Sequence, residues 1–224
     1  DAMESRGLGD VYKRQLREWD KKLTKNSIEA GIYIEWQNQL FFEINNTHIP
    51  KDVQKYINMQ LFRVIEKISN MDLEERSELL NRTFNSTIKK LKNKFGDNHE
   101  KWVYGQEKYK HVKIYHPLEN IVNDSIRDII ALKTYPRGGD GYTPGSTSND
   151  MNQSSGGSFR VMIDTGDWDN SFATNSPGQS GNPESKFYKN LYEDWANDIY
   201  FPLLYSKYKI LLNLDQREIF KPSN

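Results

Sequence analysis

The residues best suited to chemistry lie between positions 137 and 183, where glycine, proline and small polar residues surround one alternating apolar segment. Gly138-Gly139-Asp140-Gly141 could in principle cradle a phosphate. A phosphate-binding loop needs a lysine and a hydroxyl after its last glycine, but here Tyr142-Thr143-Pro144 follow. The glycine run therefore predicts a turn that needs positive φ rather than a nucleotide site.

Four side chains with oxygen atoms could bind a metal ion: Asp164, Asp167, Asp169 and Asn170. Calcium prefers such ligands, but an EF-hand loop also needs alternating ligands, a central glycine and a distal glutamate, and that spacing fails here. Two interpretations stay open. One is a structural calcium, and the other, more common for such aspartates, is that they cap turns through backbone amides.

Two further groups could supply a nucleophile or a zinc ligand. Gly178-Gln179-Ser180-Gly181 resembles a nucleophile elbow, but it has one residue too few between the serine and the last glycine, and Pro177 favours a rigid turn. His111 and His116 are five residues apart, whereas a helical zinc pair needs a spacing of four. Because Pro117 disfavours a helix, we expect these histidines to be hydrogen-bonded in a turn.

Composition excludes several classes of function. The 224 residues include 31 lysines and arginines against 31 aspartates and glutamates, so the net charge is zero and predicts neither nucleic-acid nor membrane binding. The absence of cysteine excludes disulfides, thiolate metal sites and a cysteine nucleophile. No apolar run approaches the roughly 18 residues of a membrane span.

Three helices are predicted in the first half of the chain, each from an apolar stripe at helical spacing. The first begins after Ser27, a suitable N-cap, and ends near residue 46. The second begins at Pro50 and Asp52, and the third covers residues 73–95 with Gly96 as its C-terminal cap. The stripes consist of Ile28, Ile32, Trp36 and Leu40; of Val53, Ile57, Leu61, Val64 and Ile68; and of Leu80, Phe84, Ile88, Leu91 and Phe95.

The second half predicts few strands and three more helices, of which the first is a short helix over residues 120–132. Phe159, Val161 and Ile163 alternate as in a strand, and apolar residues between the turns are expected to be buried, namely Met162, Ile163, Trp168 and Phe172. A helix is predicted from Glu184 until Pro202 stops it, and a last one over residues 206–212. The predicted order is helical 16–96, irregular 97–137, a turn and strand core 138–183, and a helical tail 184–212, which indicates an α+β fold that is rich in helix.

The first fifteen residues look foreign to the rest. Residues 1–15 show no clear helical or strand period, and their run GDVYKRQ resembles translated adapter sequence. We expect residues 1–15 to be a foreign or disordered leader, and residues 16–224 to be the protein itself. A frayed native terminus is the alternative.

Several motifs follow one another in an order that resembles a known family. They are Trp19-Asp20 with Ser27, Ala30, Tyr33 and Trp36; Tyr104-Gly105 through His116-Pro117-Leu118; Gly138-Gly139-Asp140-Gly141 with Thr143; Gly156, Ser158, Phe159 and Arg160; Asp167-Trp168-Asp169 through Pro177-Gly178-Gln179-Ser180-Gly181; and Trp195 with Pro202-Leu203. Together they resemble the C-terminal part of the β chain in the penicillin acylase family of N-terminal-nucleophile hydrolases, over residues 16–208. Lys21 and Lys108 depart from the family pattern, which predicts a divergent branch.

The resemblance implies a fold and a reaction. The fold would be part of a four-layer αββα arrangement, with a few antiparallel strands. The catalytic serine would be exposed at a new N-terminus by self-cleavage, and its own amino group would act as the base. The reaction would hydrolyse a linear amide, releasing an acyl group from a β-lactam, an acyl-homoserine lactone or a similar amine.

The same resemblance implies that this chain contains no catalytic, cofactor-binding or metal-binding residue. The nucleophilic serine, the oxyanion asparagine and the calcium ligands of the family would all lie upstream of Leu16, so that the fragment alone is inactive and a structural calcium belongs to the full-length protein. Its expected partners are a small acyl-amide substrate and the remainder of its own α and β chains. The expected location is the periplasm or exterior of a bacterium.

A function of another class stays open. The chain could be a non-catalytic module that binds sugars or peptides through the aromatic turns around Tyr142, Trp168 and Phe172. An upstream reading frame with a serine-led S-N-[NA]-W junction would distinguish the acylase from this module.

Overall fold

The structure is a computed structural model that describes residues 2–145, 147–215, 218 and 220, with side chains from residue 10 onward. The chain divides into two units, Asp1–Lys110 and His111–Asn224. The first is helical, and the second contains short strands between turns. This combination is consistent with the predicted α+β class. None of the described helices is both long enough and apolar enough to cross a bilayer.

The described residues of the first unit form four α-helices: α1 (Ala2–Glu18), α2 (Ile28–His48), α3 (Leu61–Ser69) and α4 (Leu73–Phe95). Of the two N-caps with a side-chain hydrogen bond in α2 and α4, Ser27 was predicted and Asp72 was not. The Ser27 hydroxyl accepts a hydrogen bond from the Ala30 amide, and the Asp72 carboxylate accepts one from the Glu75 amide. At the other end of α4, Gly96 takes a φ of +86°, as expected for a glycine after a helix.

Helices α2 and α4 form the core of this unit. Phe84, Ile88 and Leu91 are buried as their stripe predicts, whereas Leu79 is buried and Leu80 only half-buried. Near the middle of the pair, the Trp36 indole packs edge-on against Phe84 and donates a hydrogen bond to Thr83 Oγ1 at 3.0 Å. The apolar stripe thus predicts the buried face of α4 to within one residue.

The second predicted helix is shorter than expected, because a side chain from α2 interrupts it. Residues 51–56 form turns, and the helix begins only at Leu61. The Met59 amide, which a continuous helix would direct to the carbonyl of Lys55, donates instead to Asn45 Oδ1 at 2.7 Å. Asn45 is buried and its Nδ2 also donates to the Phe41 carbonyl, so both the oxygen and the nitrogen of its side chain have a partner.

The leader adopts helical structure. Helix α1 spans Ala2–Glu18, and Tyr12 is buried against the Trp102 ring, with the ring centroids 5.3 Å apart. The helix ends at Glu18, so the prediction that the helical region begins at residue 16 is wrong for residues 19–27, which are not helical. The foreign origin of residues 1–15 stays a prediction, since a helix that docks on a tryptophan can have either origin.

Within the part of the second unit that the structure describes, the strands form two three-stranded sheets. In the first, β1 (His111–Val112) pairs antiparallel with β2 (Tyr135–Pro136) and parallel with β3 (Asn152–Gln153). In the second, β5 (Ser171–Thr174) lies between β4 (Arg160–Met162) and β6 (Phe201–Leu203), antiparallel to both. Three short helices complete the unit: α5 (Asp124–Ile130), α6 (Tyr192–Ala196) and α7 (Lys207–Leu212).

The predicted helix from Glu184 is mostly wrong, because a neighbouring turn takes its hydrogen bonds. The Phe187 carbonyl accepts from the amides of Gln179 and Ser180, and the Leu191 amide donates to the Pro177 carbonyl. Only Tyr192–Ala196 is helical. Pro202 has no amide hydrogen to donate, and it lies in β6 at the edge of the sheet, where proline is tolerated.

The predicted burial in the turn and strand core is also wrong. Met162, Ile163, Trp168 and Phe172 are all exposed. Met162, Phe172 and Pro202 are aligned by the strand register, so they form one row across a sheet face, which we call the apolar row. The buried core of this unit lies elsewhere, around Val112, Tyr192, Trp195 and Ala196.

Gly31→Ala should destabilise the first unit although alanine favours helices by about 1 kcal/mol over glycine. A Cβ on Gly31 would lie 2.7 Å from the Trp102 carbonyl oxygen, a backbone atom that cannot rotate away. We expect a loss of about 1–3 kcal/mol in the free energy of unfolding, measured by urea denaturation. Ser77→Ala, on the exposed face of α4, is the control and should be neutral or slightly stabilising. A gain in stability for Gly31→Ala would contradict the close approach.

Candidate functional site

The residues that the sequence offered for chemistry are occupied with turn formation. In the glycine-rich run, Gly139 has the predicted positive φ, at +73°, and the Asp140 carboxylate accepts from the Tyr142 amide and the Thr143 hydroxyl. The backbone oxygen of Asp140 accepts from Thr147 Oγ1 at 2.7 Å. The run therefore forms a turn, as predicted, with its carboxylate turned toward its own backbone.

The aspartate cluster also caps turns. Asp164 accepts from the amides of Gly166 and Asp167 and from the Asn170 side chain. Asp169 accepts from the amides of Tyr205 and Ser206. Hydrogen bonds from these donors lower the pKa of both carboxyl groups, beginning with Asn170 for Asp164 and Ser206 for Asp169. Among the residues from 10 onward that the structure describes, no three acidic or histidine side chains are placed to hold a metal ion.

Ser180 and the histidines are likewise engaged locally. Ser180 Oγ accepts from the Asn182 amide at 3.1 Å, a contact typical of a serine in a turn. His116 Nδ1 accepts from the Leu118 amide at 3.1 Å, which confirms the predicted turn histidine. The prediction of a turn is wrong for His111, which lies in the strand β1, where its amide donates to the Met151 carbonyl. The structure thus assigns none of these groups to a nucleophile–base pair.

The most highly organised polar cluster was not predicted. It consists of two arginines that share one carboxylate, and we call it the arginine–aspartate cluster: Arg137, Arg160 and Asp198. Arg137 follows β2 and binds Asp198 with two hydrogen bonds, Nη1–Oδ2 at 2.6 Å and Nη2–Oδ1 at 2.9 Å. Arg160 begins β4 and donates to Oδ1 of the same carboxylate.

Backbone and amide oxygens supply further acceptors for both arginines. Arg137 Nε donates to Gln153 Oε1 at 3.0 Å, and its Nη1 also donates to the Ala196 carbonyl at 2.9 Å. Arg160 donates to the Trp195 carbonyl. These two carbonyls belong to the last turn of α6, where cations are favoured by the exposed C-terminal oxygens.

The aromatic side chain of Trp195 fixes the second arginine. The Arg160 guanidinium lies over the Trp195 ring, 5.1 Å from its centroid. The indole nitrogen donates to the Gly157 carbonyl at 2.9 Å, so the ring cannot rotate without losing a hydrogen bond. The cluster therefore joins the glycine-rich segment, β4 and the end of α6.

Asp198 is the common partner of the two arginines, and both its backbone conformation and its pKa are unusual. Its φ is +57°, in the left-handed region that only glycine, asparagine and aspartate visit with any frequency. Burial acts to raise the pKa of Asp198, but hydrogen bonding and charge from Arg137, followed by Arg160, outweigh it and lower the pKa below 3.8. The side chain is nevertheless 52% exposed, so solvent screens part of this interaction.

Sequence reasoning missed this cluster for a physical reason. Arg160 was noticed only as part of a motif, and Arg137 only as the residue before the glycine run. Asp198 carried no pattern at all, since it follows a five-residue helix that the sequence did not delimit. The available signal was two arginines beside glycine-rich turns, because buried guanidinium groups require a carboxylate partner.

Asp198→Asn should destabilise the second unit, because it leaves two guanidinium groups without their negatively charged partner. Solvent already screens the half-exposed Asp198 carboxylate, so we expect a loss of only about 2 kcal/mol in the free energy of unfolding. Asparagine tolerates the same φ, so the backbone is not the cause. Thermal or urea unfolding at neutral pH would measure the loss. Asp194→Asn removes the same charge from an exposed position of α6 and should change stability little.

The pH dependence gives a second readout of the same variant. The lowered pKa means that the Asp198 contribution is fully present above 3.8 and is lost as the pH falls through the lower value in the folded state. Asp198→Asn should therefore flatten the decline of stability in this acidic range. An equal decline in wild type and variant would contradict the pairing.

Comparison with known proteins supports the family resemblance. The sequence profile of a family described as penicillin amidase matches residues 3–211, which include most of the segment for which a foreign origin was predicted. No curated protein matches the chain. Because the profile covers most of the sequence, the chain belongs to the penicillin amidase family.

Proposed function

We propose that this chain is a supporting, non-catalytic part of an amidohydrolase that hydrolyses linear amides. The match to the penicillin amidase family over residues 3–211 carries the amidohydrolase part of the proposal. Enzymes of this family hydrolyse carbon–nitrogen bonds other than peptide bonds. The substrate we propose is a small acyl amide, and the group released is the acyl part of a β-lactam, an acyl-homoserine lactone or a similar amine.

The supporting role is inferred from what the hydroxyl and imidazole groups do. A nucleophilic serine needs a base within hydrogen-bond reach, but Ser180 Oγ instead accepts a hydrogen bond from a turn amide. The strongest polar cluster is the arginine–aspartate cluster, which fixes backbone segments. Its two arginines lower the pKa of the Asp198 carboxyl group, so this carboxylate is a weaker base than an ordinary aspartate. We therefore place the nucleophilic serine, the oxyanion asparagine and any structural calcium of the enzyme outside this chain.

The proposed partner is the remainder of the enzyme's own α and β chains. The apolar row of Met162, Phe172 and Pro202 is exposed, and an exposed row of this kind is typical of a surface that another element covers. In the proposed four-layer αββα arrangement, such a face would be covered by a second layer. We place the enzyme in the periplasm or exterior of a bacterium and propose no nucleic-acid or membrane partner.

One observation favours the alternative of a binding module. The exposed rings of Trp168 and Tyr205 lie 5.2 Å apart, and a pair of exposed aromatic rings is a suitable platform for a sugar. Titration with oligosaccharides, followed by tryptophan fluorescence, tests this function. A saturable change that Trp168→Ala abolishes would favour the module over the acylase part.

The isolated chain should release no amine from a chromogenic acyl amide, because we place the nucleophilic serine outside this chain and the described Ser180 hydroxyl is engaged in a turn. The Ser180→Ala variant is the matched control and should give the same zero rate. Amine release by the isolated chain would reject the supporting role. If the Ser180→Ala variant then lost this activity, the nucleophile would be Ser180. If the variant kept the activity, the nucleophile would lie elsewhere in the chain. Extension of the chain by the upstream reading frame should restore amine release.

The isolated chain should also self-associate through the apolar row, because uncovered apolar strands promote pairing between copies. Phe172→Thr should reduce the associated fraction in sedimentation velocity, and threonine keeps the strand propensity. The control is Ile121→Thr, a change of similar size at an exposed position in a turn. A monodisperse wild-type monomer with a cooperative melting transition would count against an uncovered face.

A further inference from the structure

A cavity of about 160 Å³ opens to solvent between the C-terminal end of α2 and the first half of α4. Its floor is apolar. Ile44 and Leu79 line the cavity and are both buried in the core of the first unit, and Met71, which packs against the same core, lines it as well. A ligand with a hydrocarbon part could therefore remove apolar surface from water at this place.

The polar wall of the cavity carries an excess of negative charge. The Glu43 carboxylate accepts a hydrogen bond from Arg82 Nη1 at 2.5 Å, so these two side chains neutralise each other. Glu75 and Glu78 line the same cavity, and no described residue forms an ion pair or a hydrogen bond with either carboxylate. Two negative charges at the cavity are thus left without a partner.

The other groups around the cavity do not cancel this excess. Burial, followed by the positive charge of Lys67, lowers the pKa of His48 below 6.5 although Glu75 acts in the opposite direction, so the imidazole that lines the cavity is neutral at neutral pH. Thr47 and His48 belong to the last turn of α2, where exposed carbonyl oxygens favour a cation. Glu78 lies in the second turn of α4, beyond the first turn in which the positive end of that helix acts.

An apolar floor beside two carboxylates matches a cation that carries hydrocarbon. A metal ion matches poorly, because the floor offers no ligand atoms and, among the described residues from 10 onward, no three acidic or histidine side chains are placed to hold one. A drug-sized ligand is too large, since such ligands occupy pockets of roughly 300–1,000 Å³. A short alkylammonium ion meets both demands, because its nitrogen donates three hydrogen bonds and its chain is apolar.

From this combination we propose that the cavity binds a small organic ammonium ion, with the charged nitrogen at Glu75 and Glu78. The alkyl chain would lie over the floor formed by Ile44, Met71 and Leu79. The ammonium group can belong to a free amine or to a lysine side chain of another polypeptide segment. The inference does not depend on the amidohydrolase assignment, because it uses only residues of the first unit.

The probe for the test is n-butylammonium chloride, and the readout is the methyl resonance of Met71. The full chain, labelled with carbon-13 at its methionine methyl groups, is titrated at neutral pH and constant ionic strength, and the resonance is assigned by its absence in Met71→Leu. The Met71 resonance should shift saturably, whereas that of Met162, which is exposed in the second unit, should not. Absence of a saturable Met71 shift would overturn the proposal.

Two further probes separate the charge from the hydrocarbon without any variant. Sodium chloride supplies only a cation, and butanol supplies only the apolar chain. Neither should shift the Met71 resonance saturably, because each meets one of the two demands of the cavity. A response to either probe as large as the response to butylammonium would contradict the site, and this comparison stays decisive if a variant does not fold.

Substitutions of the carboxylates test the charged half of the site. Glu75→Gln and Glu78→Gln should each raise the apparent dissociation constant of butylammonium about two- to fivefold, as expected for the loss of one exposed ion pair. Glu74→Gln is the matched control, because it removes the same charge from an exposed position of α4 that does not line the cavity. An unchanged constant in both Glu75→Gln and Glu78→Gln, or an equal rise in Glu74→Gln, would overturn the assignment.

Extension of the chain by the upstream reading frame distinguishes the two sources of the ammonium group. If butylammonium still shifts the Met71 resonance in the extended chain, a free amine is the ligand. If the shift is lost, a lysine side chain of the added segment fills the cavity.

Discussion

The shared carboxylate of Asp198 is the interaction on which the second unit depends. Its two oxygens hold arginines from two distant segments, and those arginines also bind the last carbonyls of α6. The unit has short strands and short helices, so few of its elements could persist through local hydrogen bonds alone. A charged cluster that joins a glycine-rich segment, a strand and a helix end provides the long-range constraint that these elements lack.

This organisation fits a part of an enzyme that positions other elements. Its turns are rigid because their aspartates and serines hydrogen-bond to nearby backbone amides, and its Trp195 is held by a ring stack and an indole hydrogen bond. Active sites need such support from residues that do not themselves react. Membership of the penicillin amidase family gives that support an amidohydrolase context.

The sequence predicted the elements that depend on local signals. Helices α2 and α4 were located closely by their caps and apolar stripes, because each helix is long enough for its period to be unmistakable. Two predicted helices were wrong where a group from another segment took a backbone hydrogen bond. In the helix predicted over residues 52–68 this group is the Asn45 side chain, and in the helix predicted from residue 184 it is the turn at Pro177. The arginine–aspartate cluster was missed for the same reason, since its members are brought together only by the fold. The exposure of Phe172 shows that an apolar strand residue does not guarantee a core.

The left-handed backbone of Asp198 restricts which side chains evolution can place there. Asparagine and glycine adopt this conformation readily but carry no charge, whereas glutamate carries the charge but lacks the short side chain that makes a positive φ tolerable. Aspartate alone meets both demands. Functional homologues should therefore be nearly invariant at this position, and a natural exchange there should be accompanied by replacement of at least one of the two arginines.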